Sequence, residues 1–149
     1  MRNLTFLATP GAKPLAQRFR RSFMEKTASW SVVVEECASR SEAAALLSAK
    51  KSHAFAVSPP FRSAVFEAGQ AKGASARLAQ GADILYRGGK STLAISQLAR
   101  TAIDEMEQRF LPLYGAKAVV LGSGSAALDV VYECARAGVS EIALLGREK

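Results

Sequence analysis

Cysteine and histidine are scarce in this sequence, which has two cysteines and one histidine among 149 residues. Cys37 and Cys134 lie far apart and lack the spacing typical of metal ligands. A single bridge between them is the alternative, but we expect two buried thiols and no metal site. His53 has no carboxylate neighbour in sequence, so we assign it a structural or surface role.

Long apolar runs are also missing, because no stretch approaches the roughly 20 residues of a membrane-spanning helix. The first apolar stretch is shorter than the roughly 7–15 residues of a signal peptide core. A hydrophobic content of 49% with 11 glycines and 5 prolines excludes intrinsic disorder and collagen-like sequence. We therefore expect a soluble, cytoplasmic protein.

Acidic residues are outnumbered, with 13 Asp and Glu against 20 Lys and Arg, which gives a net charge of +7. Such a chain attracts nucleic acid, phosphorylated cofactors and carboxylates. Phe19 and Phe23 lie at helical spacing within the densest basic stretch, so we expect an amphipathic helix with a solvated basic face. A nucleic-acid-binding module is the alternative, and it would use Lys13, Arg18, Arg20 and Arg21.

Strand and helix patterns alternate along the chain, which favours an α/β fold with a mostly parallel, doubly wound sheet. The predicted strands are residues 4–8, 30–34, 53–57, 82–86, 118–121 and 142–145. The predicted helices are residues 14–26, 41–49, 63–68, 92–110 and 126–137. Apolar spacing in two of these helices predicts buried stripes, formed by Leu15, Phe19 and Phe23 and by Leu93, Leu98, Ala102 and Met106.

A glycine loop of the form G-x-G-x-x-A directly follows an apolar strand and precedes a helix. It consists of Gly122, Ser123, Gly124, Ser125, Ala126 and Ala127. In this pattern the first glycine permits a tight turn, the second lets a diphosphate approach the backbone, and the alanine lets the helix pack closely. The N–H groups at the helix start attract phosphate. The loop predicts a dinucleotide site, and a strand-to-helix turn without a ligand is the alternative.

The residues after the last strand bear on which dinucleotide is bound. No acidic residue lies at the tip of that strand to hold ribose hydroxyls, and Arg147 follows it. Arg147 can pair with a 2′-phosphate, although the adjacent Glu148 would repel it. The sequence therefore favours NADP, with NAD as the alternative.

A second glycine-containing segment, residues 88–92, looks like the tail of a Walker A loop. The first glycine of such a loop would fall on Ile84, inside a predicted strand, which argues against a triphosphate site. We predict instead a turn at residues 87–89, followed by a helix capped by Ser91 or Thr92.

Taken with the glycine loop, the chain resembles the shikimate dehydrogenase family from Leu4 to Lys149. That family's G-A-G-G-A-[AS] loop is similar to residues 122–127. Its N-R-[ST] motif, which binds the adenosine phosphate, falls on residues 146–148, where Arg147 alone is kept. The resemblance implies a substrate domain over residues 1–110, followed by the first β-α-β unit of a Rossmann domain over residues 111–149.

The resemblance also implies a substrate site. The family's S-K-S-P motif falls on residues 11–14, where Pro14 matches, both serines are missing and Lys13 can supply a cation to a carboxylate. In its T-x-P-x-K motif, Ser58 keeps the hydroxyl and Arg62 replaces the catalytic lysine. Its N-T-D motif falls where Thr92 matches and Leu93 replaces the catalytic aspartate. Substrate-binding roles are thereby implied for Lys13, Ser58, Arg62 and Thr92, and a catalytic role for Arg62.

These replacements change the expected chemistry. The family interconverts dehydroshikimate and shikimate in aromatic amino acid biosynthesis, and some relatives act on quinate. Arginine keeps its proton to about pH 12 and is therefore a poor general acid or base. The loss of a working general acid or base typically lowers the reaction rate by about 10²–10⁴. We expect a divergent, weakened NADP-dependent oxidoreductase. The alternative is a non-enzymatic sensor that binds a small carboxylate such as shikimate or quinate.

The last part of the chain reads as one strand-helix-strand unit. Parallel strands are normally buried on both faces, so such a unit leaves apolar surface open. We expect the remaining Rossmann half or another chain to cover this edge, and we expect no membrane partner.

Overall fold

The computed structural model describes residues 1–109 and 112–146 and has a mixed α/β fold with two sheets. The larger sheet contains β1 (Arg2–Ala8), β2 (Trp30–Glu36), β3 (Ala54–Val57), β4 (Ala71–Lys72), β5 (Ile84–Gly88) and β6 (Ser91–Ile95). The smaller contains β7 (Lys117–Leu121) and β8 (Glu141–Leu145). The helices are α1 (Lys13–Lys26), α2 (Arg40–Ala49), α3 (Arg62–Ala68), α4 (Ala74–Ala79), α5 (Leu98–Arg109) and α6 (Ser125–Arg136).

The larger sheet has the strand order β2-β1-β3-β5-β6-β4. β1 is parallel to β2 and β3, and β4 is parallel to β6, but β5 is antiparallel to both of its neighbours. The α/β class is therefore confirmed and the sheet is rich in parallel pairs, whereas a doubly wound arrangement does not describe its antiparallel centre.

A β-hairpin replaces the predicted turn and helix start at residues 87–92. Gly88 pairs with Ser91 across a two-residue turn in which Gly89 has a φ of 60°. Glycine adopts this left-handed conformation without steric cost. The prediction of a helix capped by Ser91 or Thr92 is wrong, because both residues pair with β5.

Helix α5 consequently begins at Leu98, and its buried side differs from the predicted stripe. Ala99 and Ile103 are buried, whereas Leu98 and Met106 are exposed and Leu93 belongs to β6. The apolar spacing used for the prediction began at Leu93 in β6 and continued into α5. It therefore combined two elements and predicted the wrong buried face for α5.

Strand and helix side chains from both faces of the larger sheet form the core. On one face Leu7, Phe55 and Leu85 are fully buried on neighbouring strands. The other face holds an aromatic series in which neighbouring ring centroids lie 5.4, 5.4 and 6.3 Å apart, formed by Phe6, Phe19, Phe23 and Trp30. The predicted amphipathic α1 is confirmed for its two phenylalanines, but Leu15 is exposed.

The two cysteines are buried free thiols, as expected. Burial raises the pKa of the Cys134 thiol, and burial together with Glu42 and Glu35 raises that of Cys37. Both thiols are therefore held in the protonated, unreactive form.

In the smaller sheet, β7 and β8 are parallel and α6 connects them. Val119, Leu121 and Leu145 remain 64%, 78% and 57% exposed. The sheet thus has the open apolar surface that the sequence predicts, and what covers it stays a prediction. Residues 110 and 111, where the predicted domain boundary falls, lie outside the described residues. Within the described ranges, we find no helix with the length and apolar character needed to cross a membrane.

The burial pattern predicts that two apolar-to-alanine substitutions differ greatly in their effect on the free energy of unfolding. Phe55→Ala removes a fully buried ring and should lower the free energy of unfolding by about 3–5 kcal/mol. Leu15→Ala, at a 68% exposed position, should change it by less than about 0.5 kcal/mol. Urea unfolding of both variants measures this, and equal losses would contradict the described core.

Candidate functional site

The glycine loop, residues 122–127, connects β7 to α6 and has a backbone that requires its small residues. Gly122 has a φ of 136°, a backbone conformation that residues other than glycine rarely adopt. A Cβ atom on Gly122 would lie 3.3 Å from Cβ of Ala127, so the strand end and the helix approach closely. Gly122 N–H donates to the carbonyl of Leu145 at 2.8 Å, which ties the loop to the end of β8.

Gly124 is the N-cap residue of α6 and provides the open side of this loop. A Cβ atom on Gly124 would meet no other atom within 4 Å, and Ser123 and Gly124 are both exposed. No side chain caps the helix at this end. The start of α6 therefore offers uncapped backbone N–H groups beside open space, an arrangement that suits a diphosphate.

The choice between NADP and NAD depends on residues at and after the end of β8, and the structure describes only some of them. Arg147 and Glu148 lie outside the described residues. The end of β8 itself, Leu144 and Leu145, carries no acidic side chain.

Arg62, at the start of α3, is the centre of a buried cluster of polar side chains. We call it the Arg62 cluster, and it consists of Arg62, Asp83, Ser96, Ser125 and Asp129. Arg62 is 3% exposed and donates through Nε to Ser125, through Nη1 to Asp83 and through Nη2 to Ser96, each at 3.0 Å. Nη2 also donates to Asp129 Oδ2.

The two carboxylates of the cluster are held differently. Asp83 accepts backbone N–H groups from Gln97 at 2.9 Å and Leu98 at 3.0 Å, so it also caps α5. Asp129 is fully buried, and its Oδ1 atom has no hydrogen-bond partner among the described residues. One guanidinium thus faces two carboxylates, of which Asp129 is the less well satisfied.

The cluster joins the glycine loop to the larger sheet. Ser125 belongs to the loop and opens α6, while Asp83 and Ser96 flank the strands of the hairpin. Gly81 makes this approach possible, because a Cβ atom there would lie only 2.7 Å from Cβ of Ser125 and 3.4 Å from Cβ of Arg62. Of the predicted site residues, the structure brings Arg62 and Ser125 together.

The other predicted substrate residues have separate polar partners. Lys13 forms an ion pair with Glu36 at 2.9 Å. Ser58 is buried and accepts from the backbone N–H of Thr9 at 3.4 Å. Thr92 is a β6 residue whose hydroxyl accepts from Gln70 N–H at 2.9 Å and donates to the Ala68 carbonyl at 3.0 Å.

Sequence reasoning missed Asp83, Ser96 and Asp129. Both aspartates interrupt otherwise apolar segments, at the start of a strand and on the apolar side of a helix. An ionisable residue at such a position is rarely buried without a partner. That signal identifies a buried ion pair but leaves the identity of the partner open.

The position of Arg62 limits what it can do. Its guanidinium is surrounded by acceptors and nearly inaccessible, so it is not presented to solvent as an open anion site in this conformation. Because arginine also retains its proton, we derive no proton transfer at this position.

Removal of the cation should strongly destabilise the fold. Arg62→Met leaves two buried carboxylates without a cation, so we expect a loss of about 3–5 kcal/mol in the free energy of unfolding. Arg100→Met removes an exposed ion pair to Asp104 at 3.8 Å and should cost less than about 1 kcal/mol. Urea unfolding compares the two, and a similar loss in both would show that the Arg62 cluster does not support the fold.

Comparisons with known proteins reveal a clear structural likeness without sequence matches. No protein-family model matches the chain, and no curated protein matches it significantly in sequence. Shikimate dehydrogenase 1 from Peptoclostridium difficile superposes on the chain with a TM-score of 0.81 at 12% identity, over 100% of this chain and 56% of its own.

Two further solved structures were determined with bound molecules. Shikimate 5-dehydrogenase from Listeria monocytogenes, in complex with shikimate and NAD, has a TM-score of 0.76 at 14% identity, over 100% of this chain and 53% of its own. A shikimate dehydrogenase in complex with NADP+ has a TM-score of 0.77 at 14% identity, over 99% of this chain and 52% of its own. The chain therefore has the shikimate dehydrogenase fold and spans about half the length of those enzymes.

Proposed function

We propose that this chain binds a nicotinamide dinucleotide at the glycine loop and acts as a divergent oxidoreductase of the shikimate dehydrogenase type. The geometry of the loop carries this proposal. Gly122 has a glycine-specific conformation, Ala127 packs against it, and Gly124 leaves the backbone open at the start of α6. These are the features through which such loops approach a diphosphate.

The residues of the loop fit the diphosphate of the cofactor and would hold it through backbone N–H groups at residues 124–126. When bound, the nicotinamide donates or accepts a hydride. NADP is the proposed cofactor because Arg147 can pair with a 2′-phosphate and no acidic residue ends β8, and NAD is the alternative.

The proposed substrate is a small carboxylate such as shikimate or quinate. Support comes from the fold, since the similar Listeria enzyme was solved with shikimate and NAD. Arginine is a poor general acid or base near neutral pH, so turnover should be slower by about 10²–10⁴ than with a working general acid and base.

The same property of Arg62 favours the second candidate function, a non-enzymatic sensor that binds a small carboxylate. Ligand binding requires a cation and hydroxyl groups, whereas turnover also requires a group that gives and takes a proton. A sensor therefore tolerates arginine at this position.

Dinucleotide binding is tested by titrating NADPH fluorescence with the wild-type chain and two glycine variants. Gly124→Val fills the open side of the loop and should weaken NADPH binding about 10- to 100-fold, as expected from the loss of one or two hydrogen bonds to a charged group. Gly11→Val is the matched control, because Gly11 also has no atom within 4 Å of its Cβ position.

No fluorescence change at millimolar NADPH would end the cofactor proposal, and equal weakening by both variants would place the site elsewhere. Repeating the titration with NADH and with Arg147→Gln tests the preference for NADP. We expect this variant to lose affinity for NADPH and not for NADH.

Turnover separates the two candidate functions. With NADP+ and shikimate, the oxidoreductase forms NADPH slowly, which absorbance measures. The sensor shows a rise in melting temperature with shikimate and forms no NADPH. If neither turnover nor stabilisation occurs with shikimate or quinate, the proposed substrate class is wrong.

A further inference from the structure

Two side chains of α6 contact the Nε and Nη2 donors of Arg62, and Nη2 also donates to Ser96. Nε donates to Ser125 and Nη2 donates to Asp129, and these two acceptors lie one helical turn apart. Nε and Nη2 form the pair of neighbouring donors that a carboxylate binds in bidentate fashion. Ser125 and Asp129 together therefore use the two donors that a bidentate carboxylate would need.

Charge balance identifies Asp129 as the exchangeable partner. Asp83 already neutralises Arg62, and it is fixed by two backbone N–H groups at the start of α5. Asp129 adds a second negative charge in a buried position. Its Oδ1 atom has no hydrogen-bond partner among the described residues, so the pairing is incomplete on the Asp129 side.

The start of α6 packs so closely beside the Arg62 cluster that there is no room for a larger residue at position 81. Ser125 fits against Gly81 only because Gly81 lacks a side chain, since a Cβ atom would lie 2.7 Å from both Cβ and Oγ of Ser125. Adding one methyl group at Gly81 therefore forces a local shift between residue 81 and Ser125, and we expect this shift to loosen the contact of α6 with Arg62. Gly81 has no left-handed φ, so alanine at this position introduces no backbone strain.

We propose that Ser125 and Asp129 are an internal ligand of Arg62, and that a small carboxylate must displace them in order to bind. The described conformation is then the ligand-excluding state. This proposal rests on the proposed function for the class of ligand, and it assigns α6 the role of controlling access to Arg62.

The test measures shikimate binding by calorimetry for the wild-type chain and three variants. Asp129→Asn removes the competing charge, and Gly81→Ala displaces α6. Each should tighten shikimate binding about tenfold, as expected when the competent fraction rises from about one-tenth to nearly all molecules. Asp104→Asn, which removes an exposed carboxylate on α5, should bind shikimate like the wild-type chain. Shikimate methyl ester, which lacks the charge, should gain nothing from either substitution.

Unchanged shikimate affinity in Asp129→Asn and Gly81→Ala overturns the proposal, as does an absence of binding to every form of the protein. Circular dichroism establishes that each variant folds, and either of the two variants is sufficient because they act by different means. NADPH titration of the same proteins distinguishes the two failures. If the variants gain shikimate affinity but do not bind NADPH, the internal-ligand proposal is supported and the proposed cofactor is wrong.

Discussion

The need of one buried guanidinium for acceptors connects the two sheets of this protein. Arg62 lies at the start of α3 and is buried, and a buried guanidinium costs much free energy unless its donors find acceptors. Asp83 and Ser96 supply acceptors from the side of the larger sheet, and Ser125 and Asp129 supply them from α6. The helix that begins at the glycine loop is therefore held to the part of the chain that contains the larger sheet by electrostatics as well as by its packing on α4 and α5.

The N-terminus of α6 therefore carries two different groups: backbone N–H groups that can bind phosphate and a side chain that contacts Arg62. The exposed backbone of the loop is suited to phosphate, whereas the Ser125 side chain at the same terminus points to Arg62. A movement of α6 would alter both groups together. The glycine at position 81 makes the approach possible, because a larger residue would separate the helix from Arg62.

Much of the fold could be predicted where the apolar pattern belongs to a single element. The strand at residues 4–8, the helix at 14–26 and the strand-helix-strand unit after residue 116 correspond closely to β1, α1, β7, α6 and β8. Between residues 69 and 97 the predicted strand at 82–86 overlaps β5, but β4, α4 and β6 were missed. There β4 has two residues, α4 has six, and β6 begins directly after a two-residue turn, so no element is long enough to show its own period. Pairing of β6 with β5 overrode the helical spacing that began at Leu93.

The sequence by itself determined the glycine loop, because its constraints are local: a strand, a tight turn and a helix lie within one short segment. It also determined that position 62 is an arginine, a residue type that is a poor general acid or base near neutral pH. Only the tertiary structure decided what Arg62 contacts. Asp83 and Asp129 are 21 and 67 residues away from it, and no local pattern encodes a contact made across that distance. Their proximity results from the strand order and the packing of α6, and these depend on the chain as a whole.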